Sequence, residues 1–391
     1  NEFPLWLDLN LSLTQLIQLE VIFWPWEIRM WTKMKVGFMS ASKSAFDLLE
    51  TTTLWIPENI PSFLIWRSKW PTDWKALIEK DMNSPLVSII TATYNSSHLL
   101  KYAIQSVLDS YFQDWELIVV GDCCTDDTEE LVRSFGDPRI SFFNLEQNSG
   151  QQAKPNNFAL ERARGQYIAF LNQDDMFFTS HLRECVAEIQ ISEADFLIVP
   201  GLEILPSKKE NLEEGKIEAQ LCSVHPDGNF SANVFSVAST WFFKRSLVDR
   251  LGPWKMEKDL YVTPSQEWLF RAWKSGIKFH FPARCGILVI ISGARKGSYK
   301  MNSSFEHEFF YQRLNDHALK SKLYERAAIF ASKKLHKELF FDPKLLIKRL
   351  GGYQLDWFLK KLGIHPTAVR FRFAWGKKGG LIEYARKNSG L

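Results

Sequence analysis

Between residues 87 and 200, short apolar runs alternate with stretches of helical spacing. Val87–Thr91, Leu117–Val120, Ile140–Phe143, Tyr167–Leu171 and Phe196–Val199 are brief and rich in β-branched and aromatic residues. Such runs predict strands buried on both faces. Between them, His98–Asp109, Thr128–Phe135, Asn156–Arg164 and Ser180–Ile191 repeat apolar residues every three or four positions, which predicts helices. Glu129 and Glu130 open one of these helices, where they favour its dipole, and Gly165 is expected to cap another. Strands alternating with helices predict an α/β fold, a mostly parallel sheet flanked by helices. Ligands of such sheets bind outside the carboxyl ends of the strands. Thr93, Asn95, Asp122 and Asn172–Asp175 each fall just past a strand, so they should line one crevice.

Outside this core the pattern is less regular. Residues 1–84 read as helical pieces broken by Pro57, Pro61 and Pro71 and rich in Trp. Leu11–Trp31 is apolar, but Glu20, Pro25, Glu27 and Arg29 interrupt it, so a packed extension is expected there and a spanning helix or signal peptide is not. The first residue, Asn1, suggests further sequence upstream. Pro206–Gly215 reads as a charged loop, Trp241–Phe243 as a strand, Gln266–Lys274 as a helix and Ile287–Ile291 as a strand. A Gly-flanked basic loop carrying Arg295 and Lys296 follows, expected to be mobile. Residues 301–391 read as helices. They hold 18 Lys and Arg against 8 Asp and Glu, about +10, whereas the remainder is about −7. That asymmetry fits solvated helix faces or peripheral contact with an anionic membrane surface. The overall net charge of +3 is too small to indicate nucleic acid. Five cysteines without a CxxC pair fit a reduced, cytoplasmic chain and no zinc site. Aromatic residues reach 14%, which suits either sugar-stacking platforms or a heavy aromatic core.

The candidate chemistry lies in the carboxylates. Asp174 and Asp175 would repel each other if both were charged and unpaired; a divalent cation with oxygen ligands removes that cost. The competing reading is a capping pair before the helix at Ser180. Asp122 is placed to accept from the imide N–H of a uracil-type base, with Thr93 and Asn95 lining the same pocket. The alternative is a turn aspartate satisfying local backbone; Thr125, Asp126 and Thr128 are available for that task instead.

Taken together, Val87-Ser88-Ile89-Ile90-Thr91-Ala92-Thr93-Tyr94-Asn95, Val119-Val120-Gly121-Asp122-Cys123-Cys124-Thr125-Asp126-Asp127-Thr128, Asn148-Ser149-Gly150, Pro155-Asn156-Asn157 and Ala163 to Asp175 resemble the family 2 glycosyltransferases of the GT-A fold. The resemblance is strong over about 85–200 and weaker to about 300. It implies a mixed, mostly parallel sheet over 85–300, with a donor and metal half at 85–200, an acceptor half at 201–300, and helical extensions at 1–84 and 301–391. It also implies inverting, Mg²⁺- or Mn²⁺-dependent transfer of a sugar from a nucleotide-diphosphate donor, UDP or dTDP favoured. The acceptor would be a glycan, a lipid-linked sugar or a small molecule. On this resemblance Thr93, Asn95, Asp122 and Asn172 bind donor, Asp174 binds donor and metal, and Asp175 joins the metal. Gly121 and Asn172 stand where the family commonly has Asp, which removes charge from the site.

Inverting transfer also needs a carboxylate to take the acceptor proton. Members carry an acid at a helix start in the second half of the domain, where this chain has Glu267. Its competing reading is an i, i+4 pair with Arg271. Trp268 is a candidate sugar platform or core residue, and Arg295 a candidate diphosphate contact on a closing loop; Lys154 and Arg162 are weaker candidates, and His225 and His280 read as structural. Two rival functions remain at this point: a non-catalytic nucleotide-sugar-binding module or partner subunit, and a nucleotidyltransferase, although the expected Gly-rich basic loop is missing after the first strand.

Overall fold

The computed structural model describes residues 84–223, 235–291, 305–340 and 354–389. The expected helical extension at 1–84 lies almost wholly outside them, as does the loop carrying Arg295. From Ser84 the chain runs β1 (Val87–Thr93), α1 (Ser97–Leu108), β2 (Trp115–Gly121), α2 (Thr128–Ser134), β3 (Ile140–Asn144), α3 (Ala153–Leu160) and β4 (Tyr167–Phe170). β5 (Asp175–Phe177), α4 (His181–Ile191), β6 (Phe196–Ile198), β7 (Gly201–Ile204), α5 (Lys209–Glu213) and β8 (Ala219–Cys222) follow. Then come β9 (Trp241–Lys244), α6 (Ser246–Leu251), α7 (Pro264–Lys274), β10 (Phe279–His280) and β11 (Ile287–Ile290). The last described elements are α8 (Phe305–Tyr311), α9 (His317–Phe340), α10 (354–361), α11 (Pro366–Trp375) and α12 (Gly380–Ser389).

The main sheet has the order β10-β6-β9-β4-β1-β2-β3. β4, β1, β2 and β3 are mutually parallel, and β9 runs antiparallel between β4 and β6. This is the mixed, mostly parallel α/β sheet that the sequence pattern predicts. Alternate residues of its strands feed two cores. Ile89, Leu117, Val119 and Ala169 pack with Leu100, Ala103 and Val107 of α1. Ile90, Ile118, Val120 and Phe170 pack with Trp241, Trp254 and Trp268. The three Trp rings meet at centroid distances of 5.6 to 6.1 Å, so much of the aromatic excess is core. Trp268 is fully buried and donates from Nε1 to the Gly252 carbonyl at 2.9 Å, which rules it out as a sugar platform.

A second sheet, β5-β11-β7-β8, is not anticipated by the sequence pattern. Its inner face joins Phe310, Leu314, Leu323 and Ala327 of the segment 305–327 in a third core. Within the predicted loop at 206–215, Lys209–Glu213 form the short helix α5. The predicted Gly165 cap is also corrected, because α3 ends at Leu160. Gly165 is needed for close approach: a Cβ there would lie 2.5 Å from the Ser88 amide nitrogen. Its N–H donates to Ser88 Oγ at 2.8 Å, and Ser88 Oγ donates to buried Glu116 at 2.7 Å.

Candidate functional site

Strand register gathers the site. Thr93 at the end of β1 pairs with Gly121 at the end of β2, and Ile90 pairs with Phe170 at the end of β4. The segments after β1, β2 and β4 therefore leave the same sheet edge side by side, with β1 in the middle. Side chains then tie them to one another. Gln173 Oε1 accepts from Thr93 Oγ1 at 2.8 Å and from the Tyr94 amide at 3.0 Å. Asn95, with φ of +42°, accepts from the Thr125 amide at 2.8 Å and donates to Thr125 Oγ1 at 3.3 Å. Positive φ is better tolerated by Asn than by most residues. Asp126 accepts from the amides of Ser97 and Thr128, serving the first turns of α1 and α2 together. Thr125, Asp126 and Thr128 thus serve the turn after β2, but this does not leave Asp122 free.

Asp122 is buried, but its carboxylate is occupied. It accepts from the Ser149 amide at 2.9 and 3.0 Å, from Ser149 Oγ at 2.9 Å and from the Gly150 amide at 2.8 Å. Three donors around one carboxylate fill most of its lone-pair positions. Asp122 therefore holds the turn at 149–150, in addition to any contact with a base. Gly150 carries φ of +75°, the left-handed region that favours glycine.

The two neighbouring aspartates separate. Asp175, on β5, is buried; Ser239 Oγ donates to it at 2.5 Å and Asn172 Nδ2 at 2.9 Å. Ser239 Oγ in turn accepts from the Asn172 amide at 2.9 Å. Burial, and then the charge of Asp174, push the Asp175 carboxyl well above its ordinary range. This corrects the expectation that Asp175 is a metal ligand: its carboxylate closes an internal network and braces the turn. The Asn172 side chain is drawn into that network and away from the expected donor contact. Asp174 remains half-buried at the turn, and its carbonyl lies 3.0 Å from His307 Nε2 of α8. His307 stacks on Tyr102 at 6.2 Å. Among the described residues, no group of three or more His, Cys, Asp or Glu is arranged to hold a metal. A cation here would be held by Asp174 together with substrate phosphates and water, which is how Mg²⁺ is commonly held. The donor set does not fit an all-protein cage.

The family description Glycosyl transferase family 2 matches residues 88–252. Residues 88–252 are a family 2 glycosyltransferase domain. The chain is 43% identical over 106 residues to TuaG of Bacillus subtilis (strain 168), whose name places it in teichuronic acid biosynthesis; the match covers 27% of this chain and 38% of TuaG. It is 40% identical over 111 residues to the UDP-Glc:alpha-D-GlcNAc-diphosphoundecaprenol beta-1,3-glucosyltransferase WfgD of Escherichia coli, covering 28% of this chain and 42% of WfgD. The chain thus spans less than half the length of these relatives. Among solved structures, S. aureus TarS 1–349 in complex with UDP-GlcNAc aligns with a TM-score of 0.45 and 19% identity, covering 78% of this chain and 88% of that one.

The family 2 match ends at Gly252, before the candidate base. Glu267 sits in the first turn of α7, which Thr263 caps by accepting from the Gln266 amide at 3.3 Å. Its Oε2 meets Arg271 Nη2 at 2.5 Å and its Oε1 meets Lys255 Nζ at 3.0 Å. The i, i+4 pair is therefore present, and a second cation with it. The segment bearing Lys255 is fastened to the domain by Asn157, whose Oδ1 accepts from the Trp254 amide at 2.8 Å and whose Nδ2 donates to the Trp254 carbonyl at 2.9 Å. Arg162 stacks on Phe158 at 3.4 Å, and His280 pairs with Glu188 at 2.6 Å, both structural uses. Gln173, Ser239 and His307 are the site residues the sequence reading missed. Gln173 alone carried a signal, its position inside the acidic turn.

Proposed function

We propose that this chain is an inverting glycosyltransferase that moves a sugar from a nucleotide-diphosphate donor, UDP or dTDP favoured, to a hydroxyl acceptor. The observation that carries the reading is the convergence of Thr93–Asn95, Asp122 and Asn172–Asp174 on one sheet edge within a family 2 domain. Thr93, Asn95 and Asp122 take the base end of the donor, and Asp174 the diphosphate end. When bound, Mg²⁺ or Mn²⁺ supplies positive charge to the departing diphosphate. Glu267 takes the acceptor proton. The acceptor oxygen forms its bond to the anomeric carbon on the face opposite the diphosphate, which leaves with the electron pair of the broken C–O bond. The acceptor reaches Glu267 Oε1 by displacing Lys255, whose side chain is half-exposed.

The name of WfgD carries a UDP-sugar donor and a lipid-linked acceptor, which supports the same classes here. A site at the cytoplasmic face of a membrane suits such an acceptor. No helix among the described residues is long and apolar enough to cross a membrane. Trp357, Phe358, Leu362 and Phe373 are exposed beside Lys360, Lys361 and Arg372 in the C-terminal helices, which supports peripheral contact with anionic lipid. The double ion pair of Glu267 favours a second reading, a donor-binding module without turnover.

The deciding experiment measures transfer and donor hydrolysis with UDP- and dTDP-sugars, with and without Mn²⁺, in the wild type, Asp174→Ala and Glu267→Gln. Loss of metal-dependent donor binding in the first, and a drop in turnover of about a hundredfold or more with donor binding kept in the second, are expected. Donor binding by the wild type with no turnover on any acceptor or water would favour the binding module.

A further inference from the structure

The C-terminal helix α12 meets the domain at two points, one in each half. At its start, the Gly379 amide donates to the Leu260 carbonyl at 2.9 Å, and a Cβ on Gly379 would lie 3.7 Å from Lys258 Cα. Further along, Arg386 lays its guanidinium against Gly150: a Cβ there would fall 1.7 Å from Nη1 and 2.6 Å from Cζ. Gly150 belongs to the turn whose amides wrap Asp122. Arg386 thus stands at the base end of the candidate donor site, although it is distant in sequence from every other residue there.

Arg386 also has nothing to hold. Arg139, Arg164, Arg271 and Arg370 each close on a carboxylate. Arg386 has no hydrogen bond or ion pair to any described residue, and Glu383 on the same helix is taken by Lys377. A half-buried guanidinium left without an acceptor forgoes charge-assisted hydrogen bonds, which are the stronger kind. Two acceptors in the adjoining segments are equally unfilled. Gln151 Oε1 and Glu257 Oε2 are both buried without a donor, and Gln151 Nε2 reaches only the Met256 sulfur at 3.5 Å. One guanidinium lacking an acceptor and two acceptors lacking donors lie in adjoining segments at the Asp122 end of the site. The base end of a nucleotide supplies both kinds of partner, the carbonyl oxygens of a uracil-type base for the first and ribose hydroxyls for the others.

We infer that Arg386 is a donor-nucleotide contact, delivered by the C-terminal helices, and that the donor site is incomplete without them. The inference rests on the donor reading above. The planar guanidinium presents its donors in a fixed fork that a lysine ammonium does not reproduce.

The test is calorimetric titration of UDP, with Mn²⁺, into the full chain and into Arg386→Ala, Arg386→Lys and Lys387→Ala. Lys387 is exposed on the same helix and controls for the general field of the tail. A roughly ten- to thirtyfold rise in Kd is expected for Arg386→Ala, a smaller rise for Arg386→Lys and little change for Lys387→Ala. Thermal unfolding midpoints should stay together, because Arg386 makes no bond whose loss would destabilise the fold. Unchanged UDP affinity in Arg386→Ala, or equal losses in Arg386→Ala and Lys387→Ala, overturns the inference while leaving the donor reading intact. Failure of the wild type to bind any nucleotide diphosphate refutes the donor reading, and this inference with it.

Discussion

Replacing Asp122 with Asn separates two tasks that a single aspartate could perform. In the structure both carboxylate oxygens are used: Oδ1 by the Ser149 amide and hydroxyl, Oδ2 by the Ser149 and Gly150 amides. An Asn keeps one acceptor oxygen and turns the other into an N–H₂ donor. Whichever way the amide rotates, it presents a donor to at least one backbone N–H. The Ser149 hydroxyl can rotate away, but the amides cannot. The loss is one charge-assisted hydrogen bond, about 1.5–3 kcal/mol, with a further contribution from the N–H left unsatisfied beside it. A total of about 3 kcal/mol is expected, because the site is buried and water cannot replace the lost acceptor. Urea unfolding of the full chain should show this as a lower midpoint at unchanged slope. Hydrogen exchange should show faster exchange at Ser149 and Gly150. If Asp122 served only the donor, its substitution would fall within about 0.5 kcal/mol of wild type, as at positions with no structural task. A stable Asp122→Asn protein that has lost UDP binding would therefore refute the loop-holding role.

Other expectations follow from the same geometry. Glu116 accepts from Ser88 Oγ, the Arg164 amide and Arg164 Nε at 2.7–2.9 Å. Glu116→Ala should cost about 3 kcal/mol by urea unfolding, since it strands a buried hydroxyl and an amide; Arg164→Ala should cost under about 1 kcal/mol because that side chain is mostly exposed. His365 caps α11 by accepting from the Thr367 amide at 3.2 Å, and its ring lies 4.7 Å from Phe270. Burial pulls its imidazole down to about 4. A lowered folded pKa means that the unfolded chain binds the proton first, so stability is intact above about 6.5 and is lost as pH falls toward 4, by about 3 kcal/mol in all. His365→Asn, which keeps a capping side chain, should flatten that slope in unfolding curves taken from pH 7 to pH 4. Binding to phosphatidylglycerol vesicles should exceed binding to phosphatidylcholine vesicles and fall with salt; a Trp357→Ala, Phe373→Ala double variant that binds as well as wild type would remove the apolar part of that reading.

The half of the site that was legible in the sequence is the half built by strand ends. A strand buried on both faces must be apolar throughout, so its end is marked where polar residues resume, as at Thr93–Asn95 and Asp122. Parallel pairing then fixes which ends are neighbours. The rest depends on where side chains turn, and here the acidic turn is instructive. Asp174 and Asp175 are identical in the sequence, yet one belongs to the turn and the other begins β5. A strand alternates its side chains between faces, and Val289 of β11 pairs with Asp175 across the second sheet, drawing that carboxylate inward. Of that sheet's strands only β11 was legible, the others being three or four residues long, and the partner Ser239 sits in a single turn before β9, outside any periodic run.

The same limit explains why Arg386 and His307 escaped the sequence reading. Both sit in the basic helical tail, where charge asymmetry speaks only for surface, and neither lies in a motif. Their relevance comes from docking: α8 brings His307 to the carbonyl of Asp174, and α12 brings Arg386 to the turn that wraps Asp122. On the proposed donor reading the tail therefore touches both ends of the site, beside Asp122 and beside Asp174. If the tail couples them, it does so through α12, which meets Gly150 by Arg386 and the segment at 257–260 by Gly379, from which the chain runs on to α7 and Glu267. This coupling requires that a substitution at Gly379, where α12 meets Leu260, change donor affinity without contacting the donor. Gly379 has φ of +76°, so Gly379→Val is strained there and should weaken UDP binding in parallel with Arg386→Ala. Unchanged affinity in a folded Gly379→Val protein would confine Arg386 to a local contact.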